Sequence, residues 1–229
     1  MKPAKKAILA KVLLATGFGF AGLSASAAIA VPSYNIDAGK AIVEANCAAC
    51  HGVNGVSVAP SQPNLGGQGV KYLYKQLVEF KTGARRNGIM EAQLKGLTQQ
   101  DLADVAGYYA SQSPWMPGYG NKATTAAAQK LYLGGDKTRG VIPCAGCHDP
   151  KGAGNDWAVF PRLGGQHATY LATQLKMFRA AGREDDVGES EMRTNDSAKK
   201  GEKGMMQMVA AKLSDRDIKI LSEFLSAVH

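Results

Sequence analysis

Alternation of apolar and polar residues never lasts long enough in this 229-residue chain to describe a strand, which excludes a sheet protein and leaves helices. No basic run is interleaved with aromatics, so the net charge of +8 is no sign of nucleic-acid binding. Cysteine and histidine are scarce, with four of each. No cysteine lies outside two pentapeptides, Cys47-Ala-Ala-Cys-His51 and Cys144-Ala-Gly-Cys-His148, which also hold two of the four histidines.

Cysteines three apart on a helical turn face one side and reach the two vinyl groups of one porphyrin, and the adjacent His then sits under the iron. A redox-active disulfide or half of a zinc site also contains CxxC, but neither accounts for a His directly after both copies. The pentapeptides therefore predict two covalently attached haems c. Cys47, Cys50, Cys144 and Cys147 are the expected thioether residues, and His51 and His148 the iron ligands. Once bonded to haem, the cysteines leave none for a structural disulfide.

Residues 1–30 read as an export signal: Lys2, Lys5, Lys6 and Lys11 precede an uncharged run ending in Ala25-Ser-Ala-Ala-Ile-Ala30. Cleavage after Ala27 or Ala30 fits. A retained anchor is the rival, because 12–31 is uncharged throughout and about the ~20 residues that span a bilayer. Five of those residues are Gly or Ser and the strongly apolar part ends near Leu23, which favours cleavage. Removing the signal's four lysines takes the charge from +8 to +4, and the four propionates of two haems bring it near zero.

The rest of the chain is one unit written twice. Pro63-Asn-Leu-Gly-Gly-Gln68, Tyr72-Leu73, Gln76-Leu77 and Phe80 return, all offset by 98 residues, as Pro161-Arg-Leu-Gly-Gly-Gln166, Tyr170-Leu171, Gln174-Leu175 and Phe178. The pentapeptides are offset by 97, and Leu97-Thr98 with Asp101 against Leu213-Ser214 with Asp217 by 116. The second copy thus carries about 18 extra residues before its last helix, assigned to 184–204, a charged segment without aromatics that reads as a solvated loop open to disorder. Ser113-Pro-Trp-Met-Pro-Gly-Tyr-Gly120 cannot continue a helix. The expected division is a signal at 1–30, a first domain at 31–112, a linker at 113–124 and a second domain at 125–229.

Helices are expected over Ala38 to Asn46 and Thr125 to Leu133, before each pentapeptide, and over Val70 to Gly83 and Ala168 to Ala181. Closing helices start at the N-caps Thr98 and Ser214, each with an acid three residues on. Their Tyr108-Tyr109 and Phe224-Leu225 correspond and read as core. The fold class is all-α, two similar bundles each wrapped on a porphyrin.

A haem His needs its second ring nitrogen held, and a proline carbonyl is a stiff partner for it. Pro63 lies 12 residues after His51 and Pro161 lies 13 after His148; a plain turn before a helix accounts for them equally well, and recurrence favours the shared role. For the sixth iron position the first unit has Met90 alone between pentapeptide and closing helix, whereas the second has Met177, Met192, Met205, Met206 and Met208. The offset of 116 carries Met90 onto Met206, each seven residues before the matched leucine, which makes this pair the expected axial ligands. Met205 is the main rival and Met208 the next. His167 replaces Gly69 of the first copy and reads as an exposed first turn, while His229 is the last residue.

With these residues the chain resembles the dihaem class I cytochromes c of the cytochrome c4 family, over nearly all of its length beyond the signal. The resemblance implies two tandem class I cytochrome c domains related by a pseudo-twofold axis, His and Met on each iron, and propionate edges meeting between the domains. It implies a periplasmic carrier, often membrane-associated, that passes electrons in a respiratory chain from a quinol-oxidising complex towards a terminal oxidase. The long charged insert departs from the family pattern and bears on the choice among Met205, Met206 and Met208.

With both irons closed by His and Met there is no room for a substrate, so the expectation is a carrier rather than an enzyme. Lys71, Lys75, Lys81 and Arg85 offer either a docking face for an acidic partner or an ordinary solvated helix face. The alternatives are a dihaem oxidoreductase of peroxidase or thiosulfate-oxidising type, which needs one Met assignment to fail, and an electron-transfer subunit of a larger dehydrogenase or oxidase complex.

Overall fold

The computed structural model describes residues 30–115, 122–196 and 201–228; the expected export signal through residue 29, the centre of the expected linker, 197–200 and His229 lie outside the described residues. In the first half, α1 (Ile36–Ile42) is capped by the Asn35 side chain, which accepts from the Asp37 and Ala38 N–H groups. It continues through one wide turn, Val43–Cys47, straight into α2 (Ala48–His51), so helix and haem motif form one rod. α3 (Val70–Thr82), the short α4 (Gly88–Gln93) and α5 (Gln99–Ser111) complete the half.

α1 crosses α5 at touching distance, since a Cβ on Gly39 would lie 2.1 Å from the Asp104 carbonyl oxygen and 2.9 Å from the Tyr108 Cβ. Only a residue without a side chain lets the two backbones meet there. Val43, Leu73, Phe80, Leu94, Leu102, Val105 and Tyr109 fill the core between these helices.

The second half repeats the plan with α6 (Lys122–Gly134), α7 (Ala145–His148), α8 (Ala168–Arg183), α9 (Met205–Ala210) and α10 (Asp215–Leu225). Tyr132, Leu171, Leu213, Ile218, Leu221 and Leu225 form its core. Here the first helix stops at Gly134, and a small loop closed by mutual backbone hydrogen bonds of Asp136 and Val141 intervenes before the haem motif. Among the described residues extended pairing is confined to that bridge and one between Asn155 and Phe160, so the fold is all-α.

The expected helices are present, with ends shifted by a few residues, and both closing helices begin in full capping boxes at Thr98 and Ser214. Two short helices, α4 and α9, were not foreseen.

The halves face each other across α3 and α8. Gln68 accepts from the Arg162 N–H at 2.8 Å and donates to the Arg162 carbonyl at 3.0 Å. Its counterpart Gln166 does the same to Asn64, at 2.8 and 2.9 Å. Both glutamines are buried, and each satisfies two backbone groups of the other half. Beyond them Arg85 lies over Phe80 and donates to Gln76, Tyr170 and Gln174, while Arg193 lies over Phe178 and donates to Gln174, Tyr72 and Gln76.

Residues 184–191 and 201–203 are exposed, in keeping with the reading of 184–204 as a solvated loop, and this pairing corrects that reading around Arg193 and Asn195; 197–200 lie outside the described residues. Arg193 and Asn195 are only 6% and 9% exposed. Arg85 and Arg193 are 108 residues apart, so the 18 extra residues divide into ten before Arg193 and eight after it. At those two positions polar composition serves a buried contact rather than solvent. His167 is likewise not on an exposed turn, for its Nε2–H donates to the Ser57 carbonyl of the other half at 3.0 Å.

Candidate haem sites

In each half the helix carrying the pentapeptide ends at the histidine and the chain returns through the Pro-x-Leu-Gly-Gly-Gln turn, which brings a proline carbonyl against the ring. His51 Nδ1–H donates to the Pro63 carbonyl and His148 Nδ1–H to the Pro161 carbonyl, both at 3.0 Å. A carbonyl only accepts, so the proton sits on Nδ1 and the Nε2 lone pair is free. Burial pushes both imidazoles below their ordinary pKa, partly offset by the same carbonyl bond, and keeps them neutral. The proline therefore does more than turn the chain.

The four cysteines are half-buried and unbridged. Burial pushes the Cys47 and Cys144 thiols up to about 11. A redox-active CxxC needs an attacking thiol with a lowered pKa, the opposite of the direction at Cys47 and Cys144. Among the described residues no group of three or more His, Cys, Asp or Glu is placed to hold a bare metal ion.

Met90 lies on α4, half-buried against the first core, its N–H bonded to the Asn87 side chain at 3.0 Å. On α9, Met206 is half-buried, whereas Met205 and Met208 are 55% and 53% exposed. Met177 lies on α8 beside Gln174.

These residues fit a haem in each half: two thiols on one turn, a neutral imidazole with Nε2 free, and a thioether on a short helix. The interface also fits. Among the described residues neither buried guanidinium has a hydrogen-bonded carboxylate, and nearby Glu79 is paired with Lys75. Burial alone would raise the Tyr72 phenol, but Arg193 and Arg85 overturn that and hold it below its ordinary value. Two buried guanidiniums at the centre would suit the acidic side arms of two haems.

Tandem all-α bundles, each with a CxxCH histidine held by a carbonyl, define a c-type cytochrome with two haems. The Cytochrome c family model matches residues 36–113 and 126–229. Cytochrome c4 of Stutzerimonas stutzeri is 43% identical over 192 residues, 80% of this chain and 84% of that protein. The crystal structure of reduced recombinant cytochrome c4 from Pseudomonas stutzeri superposes with a TM-score of 0.73 at 40% identity, over 86% of this chain and all of that one. A thiosulfate dehydrogenase electron acceptor of Thiomonas intermedia (strain K12) is 32% identical over 189 residues, 80% of this chain and 78% of that protein. The chain belongs to the cytochrome c4 family. It is a dihaem electron-transfer protein.

Several residues that shape the site were not singled out. Gln68 and Gln166 stood in the repeat, but nothing in a repeat tells which half a side chain serves. Arg85 was grouped with Lys71, Lys75 and Lys81 as a docking or solvated face, and the structure takes Arg85 out of that group. Arg85 is buried, Lys75 bonds Glu79 and the Asn195 carbonyl, Lys71 lies over Trp157, and Lys81 bonds the Leu94 and Lys95 carbonyls.

Proposed function

We propose that the protein is a carrier and not an enzyme, each iron closed by a histidine and a methionine: His51 with Met90, His148 with Met206. Cys47 and Cys50 would hold one porphyrin, Cys144 and Cys147 the other. Bound haem supplies the one-electron redox change. The chain's own residues fix the ligand geometry, shield the ring nitrogens from protons and hold the two sites in one rigid frame. The observation that carries this reading is that each half presents a buried imidazole held by a proline carbonyl, with a half-buried methionine on a short helix of the same half.

The domains are taken as 31–112 and 125–229 joined by 113–124, after export to the periplasm and cleavage of 1–30. Among the described residues no helix is long and apolar enough to cross a membrane; any membrane association is proposed to be peripheral. The donor proposed is a quinol-oxidising complex and the acceptor a terminal oxidase. A second reading draws on the Thiomonas relative, whose name makes it the electron acceptor of a thiosulfate dehydrogenase. The carrier chemistry would be the same and the donor a sulfur-oxidising enzyme.

The oxidised protein should show the weak Met-to-iron band at the red end of the spectrum at two-site intensity, and the reduced protein should not bind carbon monoxide. A one-site band with carbon monoxide on one haem would return the enzymatic alternative. Met206→Ala should remove half the band and Met205→Ala none of it.

A further inference from the structure

Each candidate axial methionine has its backbone N–H held by an Asx side chain, but the two arrangements differ. Met90 is held by Asn87, the N-cap of its own helix. The offset of 116 puts Lys203 at the Asn87 position, and α9 starts instead at Gly204, which has no side chain to cap with. Asp196 supplies what is missing from ten residues upstream. Its Oδ2 accepts from the Met206 N–H at 2.6 Å and the Gln207 N–H at 3.3 Å, and its Oδ1 accepts from Gln207 Nε2 at 2.7 Å. A Cβ on Gly204 would lie 2.2 Å from the Asp196 carboxyl carbon, so the glycine keeps open the space this carboxylate fills.

The residue beside it reaches the other half. Buried Asn195 donates through Nδ2 to Glu79 Oε2 at 2.6 Å and Gln76 Oε1 at 3.1 Å, and its carbonyl accepts from Lys75 Nζ at 2.6 Å. Arg193 Nε bonds Asn195 Oδ1 at 2.9 Å and its guanidinium bonds Tyr72 and Gln76. Residues 193–196 thus run from α3 of the first half to the first turn of α9 in the second. Nothing mirrors them: the residues 98 on from Lys75 and Glu79 are Thr173 and Met177, which offer no such pair.

We infer that Asp196 is the positioning residue for Met206, and that through Asn195 it keys the second axial position to the first half, while Met90 is held by its own helix alone. The inference rests on Met206 being the ligand. A carboxylate bonded to two N–H groups fixes the first turn of a helix too short to be stable by itself. The neighbouring amide ties that carboxylate to a buried network, where a lost partner leaves polar groups unpaired.

The test uses the full dihaem protein and follows the two halves of the Met-to-iron band during denaturant titration, with far-ultraviolet dichroism as a check on folding. Asp196→Ala should lose the second haem's share of the band at lower denaturant, and lower that haem's reduction potential, with the first share unmoved. Asp196→Asn, which keeps an acceptor oxygen, should restore most of it. Glu79→Ala, although it lies in the first half, should shift the second share and not the first, and Asn87→Ala should do the reverse. Unchanged midpoints for Asp196→Ala, in a protein where Met206→Ala removes half the band, would overturn the role of Asp196. Equal shifts of both shares in Glu79→Ala would overturn the keying. A full band in Met206→Ala would instead sink the ligand assignment on which both depend.

Discussion

A single atom decides what His51 and His148 can do. A carbonyl at 3.0 Å from Nδ1 leaves Nε2 as a neutral donor, and the proline carrying it stands at nearly the same spacing in both copies. That much was legible, because a repeat shows which residues recur around a motif. The expectation of Met206 came from the same repeat, and Met206 is half-buried where Met205 and Met208 are exposed. What does not repeat could not be read so. The carbonyl after each haem histidine is bonded by a tyrosine hydroxyl, from Tyr109 on α5 to Gly52 and from Tyr132 on α6 to Asp149, and the two tyrosines lie at opposite ends of their halves. Gly39 is a sharper case of residue-level demand. With the Asp104 carbonyl oxygen 2.1 Å from its missing Cβ, Gly39→Ala should force α1 off α5 and cost about 1–3 kcal/mol, measured as a lower denaturation midpoint of the first half.

At the scale of elements, the closing helices were predictable down to their first residue, since a Ser or Thr with an acid three residues later closes a local hydrogen-bond circuit. α4 and α9 were not, being six residues each and dependent on a cap and on packing rather than on periodicity. The Asp217 box has a reinforcement the Asp101 box lacks, a bidentate bond from Arg139 at 2.5 and 3.3 Å. Burial alone would raise the Asp217 carboxyl, but Arg139, the Ser214 hydroxyl and the Ser214 N–H hold it below the usual carboxylate range. A carboxyl depressed by folding stabilises fully above its unfolded pKa of about 4 and loses that contribution as the pH falls through the lower folded value. Asp217→Asn should therefore lower stability by about 1–2 kcal/mol at pH 7. The difference from the parent should shrink below about pH 4 in thermal melts taken across the acid range.

At the scale of the whole molecule, the interface was nearly invisible in the sequence. The repeated Gln68 and Gln166 were on the page as letters of a motif, but that each serves the backbone of the other half is a property of two surfaces meeting. The insert misled for a physical reason, since Arg, Asn and Asp are as much at home in a buried hydrogen-bonded network as in water. Gln68→Ala strands the Arg162 N–H and carbonyl and should cost about 1–3 kcal/mol. Calorimetry should then show the single unfolding transition separating into two, and Gln166→Ala should behave alike through Asn64.

The covalent tether has a further consequence. Two free copies meeting across such an axis would be identical, so any addition to one would appear on the other and meet itself at the centre. Joined in one chain, the partner is always present at high effective concentration, and the sequences on either side of the axis are released from being the same. The contact of Asn195 in the second half with Glu79 in the first has no mirrored copy, and no symmetric pair could make it once. Tethering is what allows the two sites to become unequal and gives the molecule a direction.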